Sequence, residues 1–388
     1  MVGALLLGLA LAVRALQSPA DDLAVYRGGG ATLLSGRSPY AGPVAHGMAF
    51  TYPPFAALLF APLARLPWTL CKAAALVGNC ALLFFVAARS WRCVGTFAGS
   101  SLGAAAVVTA SAGMLTQPVR SNVHAGQVNL VLLALVVADL AGRDQRRLRG
   151  AGLGVAAGIK LTPLFFLLHL LTVRRYRTAA LAGGTFAATV LFGLVVPGSA
   201  YRYWSSGLFA DTGRIYLDPA STHNQSLRGL VLRAGLTGWS GLAVWTALAF
   251  LVSLGALLAA ARAIRLGDRL LAVTVCGLGA TAVSPWSWVH HWVWIVPLAV
   301  IAADRVIRVR ARTPWTVLLL LLPLTLPQVG ALVDPPDGAG PPVLTSGPGA
   351  LLLGNVYLLL LGGTVLLCTL EGSAHPGSDK HRPEPPAA

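Results

Sequence analysis

Long, predominantly apolar runs are the feature of this sequence that most limits its fold. Four of them, 69–88, 178–197, 240–261 and 351–370, reach the length of a membrane-spanning helix. Charged residues make up only 11% of the 388 positions, whereas a soluble globular chain carries about 25%. We therefore predict an all-α polytopic membrane protein that crosses the bilayer roughly ten to twelve times.

The net charge of +16 lies in short basic clusters between these apolar runs. Positively charged loops are typical of the cytoplasmic side of membrane proteins. The charge therefore indicates topology, and no nucleic-acid partner is expected. The clusters are Arg89 and Arg92; Arg143, Arg146, Arg147 and Arg149; Arg174, Arg175 and Arg177; Arg262, Arg265 and Arg269; and Arg305, Arg308, Arg310 and Arg312.

Placing each basic cluster on the cytoplasmic side organises the chain into one transmembrane domain, residues 1–371. Residues 1–17 would form an uncleaved first helix. Two large external loops, 18–66 and 198–239, would lie on the opposite side, and the first would carry interfacial helices. Residues 372–388 are rich in proline, glycine and charge, so a disordered cytoplasmic tail is expected there.

Residues 150–172 lie between two arginine clusters that should both be cytoplasmic. The segment forms either a single span, which would place one cluster outside, or a hairpin of two short helices. Gly158 and Pro163 offer a break on either side of Lys160, and proline interrupts a helix, so the hairpin is favoured. Broken backbone within a membrane is tolerated where protein or a wet cavity covers it. The break would therefore place Lys160 beside a buried site.

Asp21 and Asp22 form an acidic pair at the start of the first external loop. Ser18 and Pro19 precede them in the order of a helix cap and a first turn, so a carboxylate here can simply complement the helix dipole. An acidic pair at the membrane edge is also a candidate general base. Tyr26 shares the Asp22 face one turn later.

Two polar islands interrupt apolar helices. Gln127 and Asn129 cannot face lipid at low cost, so they should point inward to protein partners or to a polar ligand such as a sugar. His290 and His291 lie among tryptophans, and adjacent side chains on a helix point about 100° apart, which disfavours a shared metal site. Two interpretations of this region stay open: the histidines contact a phosphate or sugar hydroxyl, or the tryptophans form an interfacial aromatic belt.

The five cysteines show no metal-ligand spacing, and neither a metal nor another cofactor is expected.

Lys160 is a cation within an apolar segment. Such a residue costs about 2.5–3.5 kcal/mol on insertion scales, and it is by default a candidate for function. An anionic lipid phosphate is its natural partner. Asn224 and Gln225, in the second external loop, would add hydrogen-bond donors on the same side. Tyr52, beside two prolines, either anchors the first loop at the interface or contacts a sugar.

These motifs resemble those of glycosyltransferase family 87, the polyprenol-phosphate-mannose-dependent mannosyltransferases with a GT-C fold. The resemblance covers most of residues 20–300, and several motifs in order are more specific than any one alone. They are Asp22-Leu23-Ala24-Val25-Tyr26, Gly36 with Pro39-Tyr40, Phe50 to Ala57, Gly126-Gln127-Val128-Asn129, Gly158 to Pro163, Asn224-Gln225-Ser226-Leu227, and Ser284-Pro285 through His290-His291.

The resemblance implies a GT-C-type helical bundle in the cell membrane with its active site on the extracytoplasmic side. It implies transfer of a mannosyl or related residue from a polyprenyl-phosphate donor to a glycolipid or glycan acceptor, with Asp22 as the general base. One base suffices for an inverting displacement. We expect Lys160, His290 and His291 to bind the donor phosphate. The expected sugar or acceptor contacts are Tyr26, Tyr52, Gln127, Asn129, Asn224 and Gln225.

A transporter or flippase of lipid-linked sugars is the alternative function. Transporters often carry broken helices at corresponding positions of repeated halves, and here 150–172 has no counterpart in the second half of the sequence. A scaffold subunit without activity is a third possibility. A scaffold would tolerate replacement of Asp22, Lys160 and His290, which an enzyme would not.

Overall fold

The computed structural model describes residue 13 and residues 16–142, 147–196, 200–215, 218–308, 313–326 and 347–370. In this part of the chain, helices form almost all of the regular structure, and one two-stranded hairpin forms the rest. The predicted all-α polytopic membrane class is confirmed. The first helix predicted at 1–17 lies largely outside the described residues, and the tail predicted at 372–388 lies wholly outside them, so both stay predictions.

The first long loop contains the helices that the sequence predicted for it. The predicted helix cap is wrong. The Ser18 hydroxyl donates to the His124 carbonyl at 2.7 Å instead of capping the helix that follows. The elements of this loop are α1 (Asp21–Leu34), the antiparallel strands β1 (Pro43–Ala45) and β2 (Met48–Ala49), α2 (Pro54–Phe60), and a 3₁₀ turn (Ala61–Arg65).

The remaining helices form the bundle. In chain order they are α3 (Trp68–Val94), α4 (Gly99–Leu115), α5 (Gln117–Ala125), α6 (Asn129–Val136) with a π turn (Val137–Ala141), α7 (Ala151–Ile159), a 3₁₀ turn (Thr162–Leu164), α8 (Phe165–Thr172), α9 (Tyr176–Gly193), α10 (Ala200–Ser205), 3₁₀ turns (Leu208–Ala210 and Thr212–Arg214), α11 (Leu227–Arg233), α12 (Gly238–Arg265), α13 (Arg269–Val283), a 3₁₀ turn (Val289–Trp292), α14 (Ile295–Arg308), α15 (Thr313–Leu321), a 3₁₀ turn (Leu322–Thr325), α16 (Gly347–Leu353) and α17 (Val356–Leu370).

Within the described residues, three helical segments are long and apolar enough to cross a membrane: Trp68–Val94, Gly238–Arg265 and Val289–Arg308. The pair α4 and α5, bent by 81°, would add a fourth if it counts as one span. Other predicted spans are built from shorter apolar helices, because glycine, proline and polar residues interrupt them. The total of ten to twelve crossings therefore stays a prediction.

The segment 150–172 is broken where the sequence predicted. Helix α7 ends at Ile159, and Lys160 follows it in an extended conformation (φ −151°, ψ 137°). The 3₁₀ turn around Pro163 then leads into α8. Lys160 is thus the first residue beyond a helix end, inside a segment that is otherwise apolar.

The two short helices form the predicted hairpin. Helix α7 runs beside α9 in the same direction, because Gly150 packs on Thr178 and Gly158 packs on Thr189. Only three residues join the end of α8 to the start of α9, so α8 must return to the level at which α7 begins. Lys160 therefore lies at the turn of the hairpin.

Helix α13 is the central element of the bundle. Its residues from Leu270 to Ala282 are all buried, which fits a nearly continuous apolar sequence packed on every side. Glycines permit the closest approaches: a Cβ at Gly277 would lie 2.1 Å from the Trp294 ring. The helix has 15 residues and is therefore about 22 Å long. It connects two ends of the bundle, and each end holds a cavity.

Candidate active site

A cavity of about 1130 Å³ lies at the end of the bundle where α13 finishes. Its size is just above the range for small-molecule pockets, about 300–1,000 Å³. Segments that are far apart in the sequence form its wall. Six of the predicted site residues line it: Asp22, Tyr52, Gln127, Lys160, His290 and His291.

Asp22 lies in the first turn of α1, in the first long loop and outside the membrane-spanning segments. The residue before the helix, Ala20, takes a left-handed conformation and makes no side-chain cap, so a carboxylate here also complements the helix dipole. Burial raises the pKa of Asp22 to about 6, although the Lys160 ammonium and the Gln127 side chain oppose this shift. A carboxyl with this pKa can accept a proton near neutral pH.

Asp21, the other member of the acidic pair, has a different environment. Its carboxylate lies 2.9 Å from the His46 ring, and both side chains are about half exposed. Asp21 is therefore a rim residue with a local partner on the β-hairpin side of the loop. The two adjacent aspartates differ in burial and in their partners, which makes Asp21 a matched control for Asp22.

Gln127 is the centre of a buried hydrogen-bond network behind the cavity wall. Its Oε1 accepts from the Tyr26 hydroxyl at 2.7 Å, and its Nε2 donates to the Tyr52 hydroxyl at 3.0 Å. The two tyrosine hydroxyls are 2.9 Å apart. Gly126 precedes Gln127 with φ +66°, and a Cβ there would lie 2.7 Å from Leu23 of α1. The glycine therefore allows α1 to approach Gln127 closely.

Asn129 joins this network to Lys160. The Lys160 ammonium donates to Asn129 Oδ1 at 3.0 Å and lies 2.8 Å from His291 Nε2. Asn129 Nδ2 in turn donates to the His290 carbonyl at 3.0 Å. Lys160 also lies 5.7 Å from the centroid of the Tyr52 ring, in a cation–π arrangement. Neutral partners thus fix the position of the ammonium and leave its charge available to an anion in the cavity.

His290 and His291 both line the cavity from the 3₁₀ turn that follows α13. Their ring centroids are 5.0 Å apart. His290 Nε2 and His291 Nδ1 are buried and have no hydrogen-bond partner among the described residues. An unpaired buried polar atom is costly, so these nitrogens indicate a polar or anionic ligand. Trp288 lies 6.1 Å from His290, ring to ring, and its indole also lines the cavity.

Four of the expected sugar contacts do not line the cavity. Tyr26 and Asn129 lie behind its wall, where they position Gln127 and Lys160. Asn224 is fully buried and accepts from the backbone N–H groups of Ser226 and Ser287. Gln225 donates its backbone N–H to the Ser287 carbonyl at 2.7 Å. These four residues hydrogen-bond within the protein around the cavity, and their contact with a sugar stays a prediction.

Arg214 is a cavity residue that the motifs did not single out. Its guanidinium lies 5.8 Å from the Tyr40 ring, and its Nη1 is buried without a hydrogen-bond partner among the described residues. It supplies a second cation to a cavity that already holds Lys160. His223 also lines the cavity, 5.8 Å from Trp288, ring to ring. Both lie in the second long loop, and no sequence motif pointed to either of them.

Comparison with known proteins shows which family the sequence matches. The sequence model of glycosyltransferase family 87 matches residues 50–285. This range includes Tyr52, Gln127 and Lys160 but not Asp22 or the histidine pair. The assignment of those residues to the site therefore rests on the geometry.

Curated relatives are named as polyprenol-phosphate-mannose-dependent mannosyltransferases. A polyprenol-phosphate-mannose-dependent alpha-(1-2)-phosphatidylinositol mannoside mannosyltransferase of Mycolicibacterium smegmatis is 34% identical over 319 residues, 76% of this chain and 71% of the relative. A polyprenol-phosphate-mannose-dependent alpha-(1-2)-phosphatidylinositol pentamannoside mannosyltransferase of Mycobacterium tuberculosis is 38% identical over 257 residues, 66% of this chain and 58% of the relative. The matched region thus spans between 58% and 71% of the length of these two relatives. By its family match and by these relatives, the chain belongs to glycosyltransferase family 87, as its motifs predicted.

Proposed function

We propose that this protein transfers a mannosyl residue from a polyprenyl-phosphate donor to a glycolipid acceptor. The relatives are named for a polyprenol-phosphate-mannose donor and for phosphatidylinositol mannoside acceptors. An acceptor of the same chemical class, a mannosylated phospholipid, is the simplest choice for this chain.

The observation that carries the proposal is that one cavity is lined by both a carboxylate and an ammonium group. Asp22, Lys160 and His291 all line it. The ammonium has neutral partners, so it can hold the phosphate of a lipid-linked sugar. A sugar attached to that phosphate would then extend into the cavity toward the carboxylate.

The reaction is a displacement at the anomeric carbon. Asp22 takes the proton from an acceptor hydroxyl as the hydroxyl oxygen bonds to that carbon. The bond between the carbon and the phosphate oxygen breaks, and the electron pair leaves with the polyprenyl phosphate. Lys160, His290 and His291 stabilise the charge of the leaving phosphate in a poorly hydrated site. The proposed mechanism takes one carboxylate, Asp22, as the base, so the proposed outcome is inversion.

The donor lipid would enter from the membrane through the apolar side of the cavity. Leu161, Leu164, Phe165 and Leu168 line that side, on and just before α8, and Leu168 is 49% exposed. A polyprenyl chain in this position leaves its phosphate at the level of Lys160. We place the cavity on the outer face of the membrane, because it lies at the end of the bundle opposite the arginine clusters.

The test is an assay of the purified full-length protein with radiolabelled polyprenyl-phosphate mannose and a phosphatidylinositol mannoside acceptor. We expect a labelled glycolipid product, and we expect Asp22→Asn to lower turnover by about 10²- to 10⁴-fold, the range for loss of a general base. Asp21→Asn, which removes the neighbouring rim carboxylate, should stay near the wild-type rate.

Two results would contradict the proposal. Normal turnover of Asp22→Asn would show that another group is the base. Donor binding by the wild-type protein without product, over a panel of glycolipid and glycan acceptors, would favour a transporter of lipid-linked sugars.

A further inference from the structure

One side of α5 lines the active-site cavity, and the proposed mechanism uses none of its residues. Gln117, Ser121 and Ala125 follow one another at intervals of four residues, so they lie on neighbouring turns of the same side of the helix. All three line the cavity. Together they form a strip of the cavity wall, the α5 face.

The α5 face begins beside Asp22. Ala125 is the last residue of α5, and Gly126 follows it so close to α1 that an added Cβ would lie 2.7 Å from Leu23, the chain neighbour of Asp22. Helix α5 is bent by 81° from α4, so it runs across the end of α4 and does not continue it. From Ala125 the α5 face leads away from Asp22 for about 12 Å, at a rise of 1.5 Å per residue.

The polar groups of the α5 face are available to a ligand. Ser121 and Gln117 are half-buried, and the Ser121 hydroxyl has no hydrogen-bond partner in the described part of the chain. Gln117 Oε1 accepts from the Tyr357 hydroxyl at 3.2 Å. This contact orients the amide and leaves the Nε2 donors to the cavity. A hydroxyl and an amide can bind the hydroxyl groups of a sugar, and a few such groups orient a ligand in a pocket.

The position of the α5 face suits the acceptor better than the donor. The donor lipid is assigned to the apolar side of the cavity on α8, which packs on α9, α12 and α13. Helix α5 instead packs on α1, which carries Asp22, and on the 3₁₀ turn that carries the histidine pair. The acceptor must bring a hydroxyl to Asp22, where the α5 face begins.

We propose that the α5 face binds the sugar next to the accepting sugar, so that the acceptor is a glycolipid with two or more sugar units. The accepting sugar lies at Asp22, and the next sugar lies along α5, where Ser121 and Gln117 hydrogen-bond its hydroxyl groups. A lipid with one sugar unit reaches Asp22 and leaves both side chains unpaired. This inference rests on the proposed function, because it takes Asp22 as the place of the accepting hydroxyl.

The test measures the binding of two acceptor analogues to the purified full-length protein by isothermal titration calorimetry, in a detergent without sugar groups. The analogues are octyl mannoside, with one sugar unit, and octyl dimannoside, with two. We expect the wild type to bind octyl dimannoside at least about fivefold more tightly, the factor for one hydrogen bond.

Two variants and a matched control locate the contact. Ser121→Ala should weaken the binding of octyl dimannoside by about fivefold and leave octyl mannoside unchanged. Gln117→Leu should show the same selectivity, and its melting temperature is measured because Tyr357 loses an acceptor. If Gln117→Leu melts early, Ser121→Ala alone decides. Ser205→Ala is the same change at an exposed serine of α10 that does not line the cavity, and it should bind both analogues like the wild type.

Equal affinity of the wild type for the two analogues, or an unchanged preference in Ser121→Ala, would overturn the subsite on α5. Weaker binding of polyprenyl-phosphate mannose by Ser121→Ala, with both analogues unaffected, would also overturn it, since the α5 face would then contact the donor. The transfer assay separates this inference from the proposed function. Absent transfer together with the expected binding differences would contradict the proposed function alone, and transfer without these differences would contradict the subsite alone.

Discussion

Asp22 and Lys160 are two opposite charges that line one cavity, and no direct ion pair joins them. Lys160 is held by Asn129 and His291, and burial dominates the environment of Asp22. A fully paired aspartate would have a lowered pKa and would be a weak base. The arrangement keeps the carboxylate basic and the ammonium available, as a displacement that releases phosphate requires.

The raised pKa of Asp22 predicts the acid limb of the pH–rate profile. The carboxylate form is the base, so kcat/KM should be about half its plateau value near pH 6 and should fall by about tenfold for each pH unit well below that. The measurement is initial rate against pH with donor well below KM. A rate that stays constant down to about pH 4.5 would show that a group with an ordinary carboxyl pKa, or no carboxyl, is the base.

Lys160 should act mainly on the chemical step. Lys160→Met removes the charge beside the leaving phosphate, so kcat should fall by about 10²- to 10³-fold, the usual cost of losing one such contact. Lys160→Arg keeps the charge and should retain more activity than Lys160→Met. Melting temperatures of both variants check the fold, since Asn129 and His291 lose a partner. Equal kcat values for the wild type and Lys160→Met would remove this residue from the mechanism.

At the residue scale, the sequence predicted which side chains line the cavity better than it predicted what each side chain contacts. Polar residues in apolar segments are costly, so Gln127, Lys160 and the histidine pair stood out, and all four line the cavity. Asn129 stood out for the same reason but is not among the residues that line the cavity, and it hydrogen-bonds to Lys160 and to the His290 carbonyl. The sequence shows that an amide in an apolar segment needs a hydrogen-bond partner. Whether protein or ligand satisfies that amide depends on tertiary packing, which the sequence did not reveal.

At the scale of elements, α1 is a helix that local propensity alone would not favour. It contains Gly28, Gly29 and Gly30 in succession, and glycine costs about 1 kcal/mol relative to alanine within a helix. Each glycine allows another part of the first loop to approach: Cβ atoms there would lie 2.4 Å from the Val44 carbonyl oxygen, 2.4 Å from the Phe50 ring and 2.7 Å from the Phe60 carbonyl oxygen. Packing of α1 against its own loop therefore fixes Asp22.

Gly29→Ala should displace α1 and lower both stability and activity. Overpacking of this kind costs about 1–3 kcal/mol in the free energy of unfolding, and the helix that carries Asp22 would shift with the Phe50 ring. Gly78→Ala is the matched control, because Gly78 lies in α3, where an added Cβ would meet no neighbouring atom within 4 Å. Melting temperature and turnover are measured for both. A Gly29→Ala protein as stable and active as Gly78→Ala would contradict this account of α1.

The sequence predicted the broken segment 150–172 correctly, because Gly158 and Pro163 interrupt the helical pattern on either side of Lys160. The helix start at α1 was predicted wrongly, since Ser18 has a distant partner, the His124 carbonyl. Helix breaks caused by glycine and proline depend on the local sequence and can be predicted from it. A cap depends on which of several acceptors a hydroxyl reaches, and here the acceptor is 106 residues away.

At the scale of the whole molecule, the two cavities divide the protein by charge. One end contains Asp22, the Lys160 ammonium and the histidine pair, and the other contains a second, arginine-lined cavity. Helix α13 separates them. The positive-inside pattern predicted this polarity from the sequence. The number of crossings was harder to predict, because short bent helices make up several of the apolar runs.

The orientation in the membrane predicts which residues react from outside the cell. In a variant whose native cysteines are replaced, His223→Cys lies at the active-site cavity and Arg265→Cys lies at the arginine-rich end. A membrane-impermeant maleimide should label His223→Cys in intact cells and Arg265→Cys only after permeabilisation. The reverse pattern would place the active site on the cytoplasmic side.

The most direct test of the central claim is a structure of Asp22→Asn bound to polyprenyl-phosphate mannose. The account predicts the donor phosphate within hydrogen-bond distance, about 3 Å, of the Lys160 ammonium and beside His291, with the mannose between the phosphate and residue 22. A donor bound with its sugar facing bulk solvent, or with its phosphate at the arginine-rich end, would contradict it.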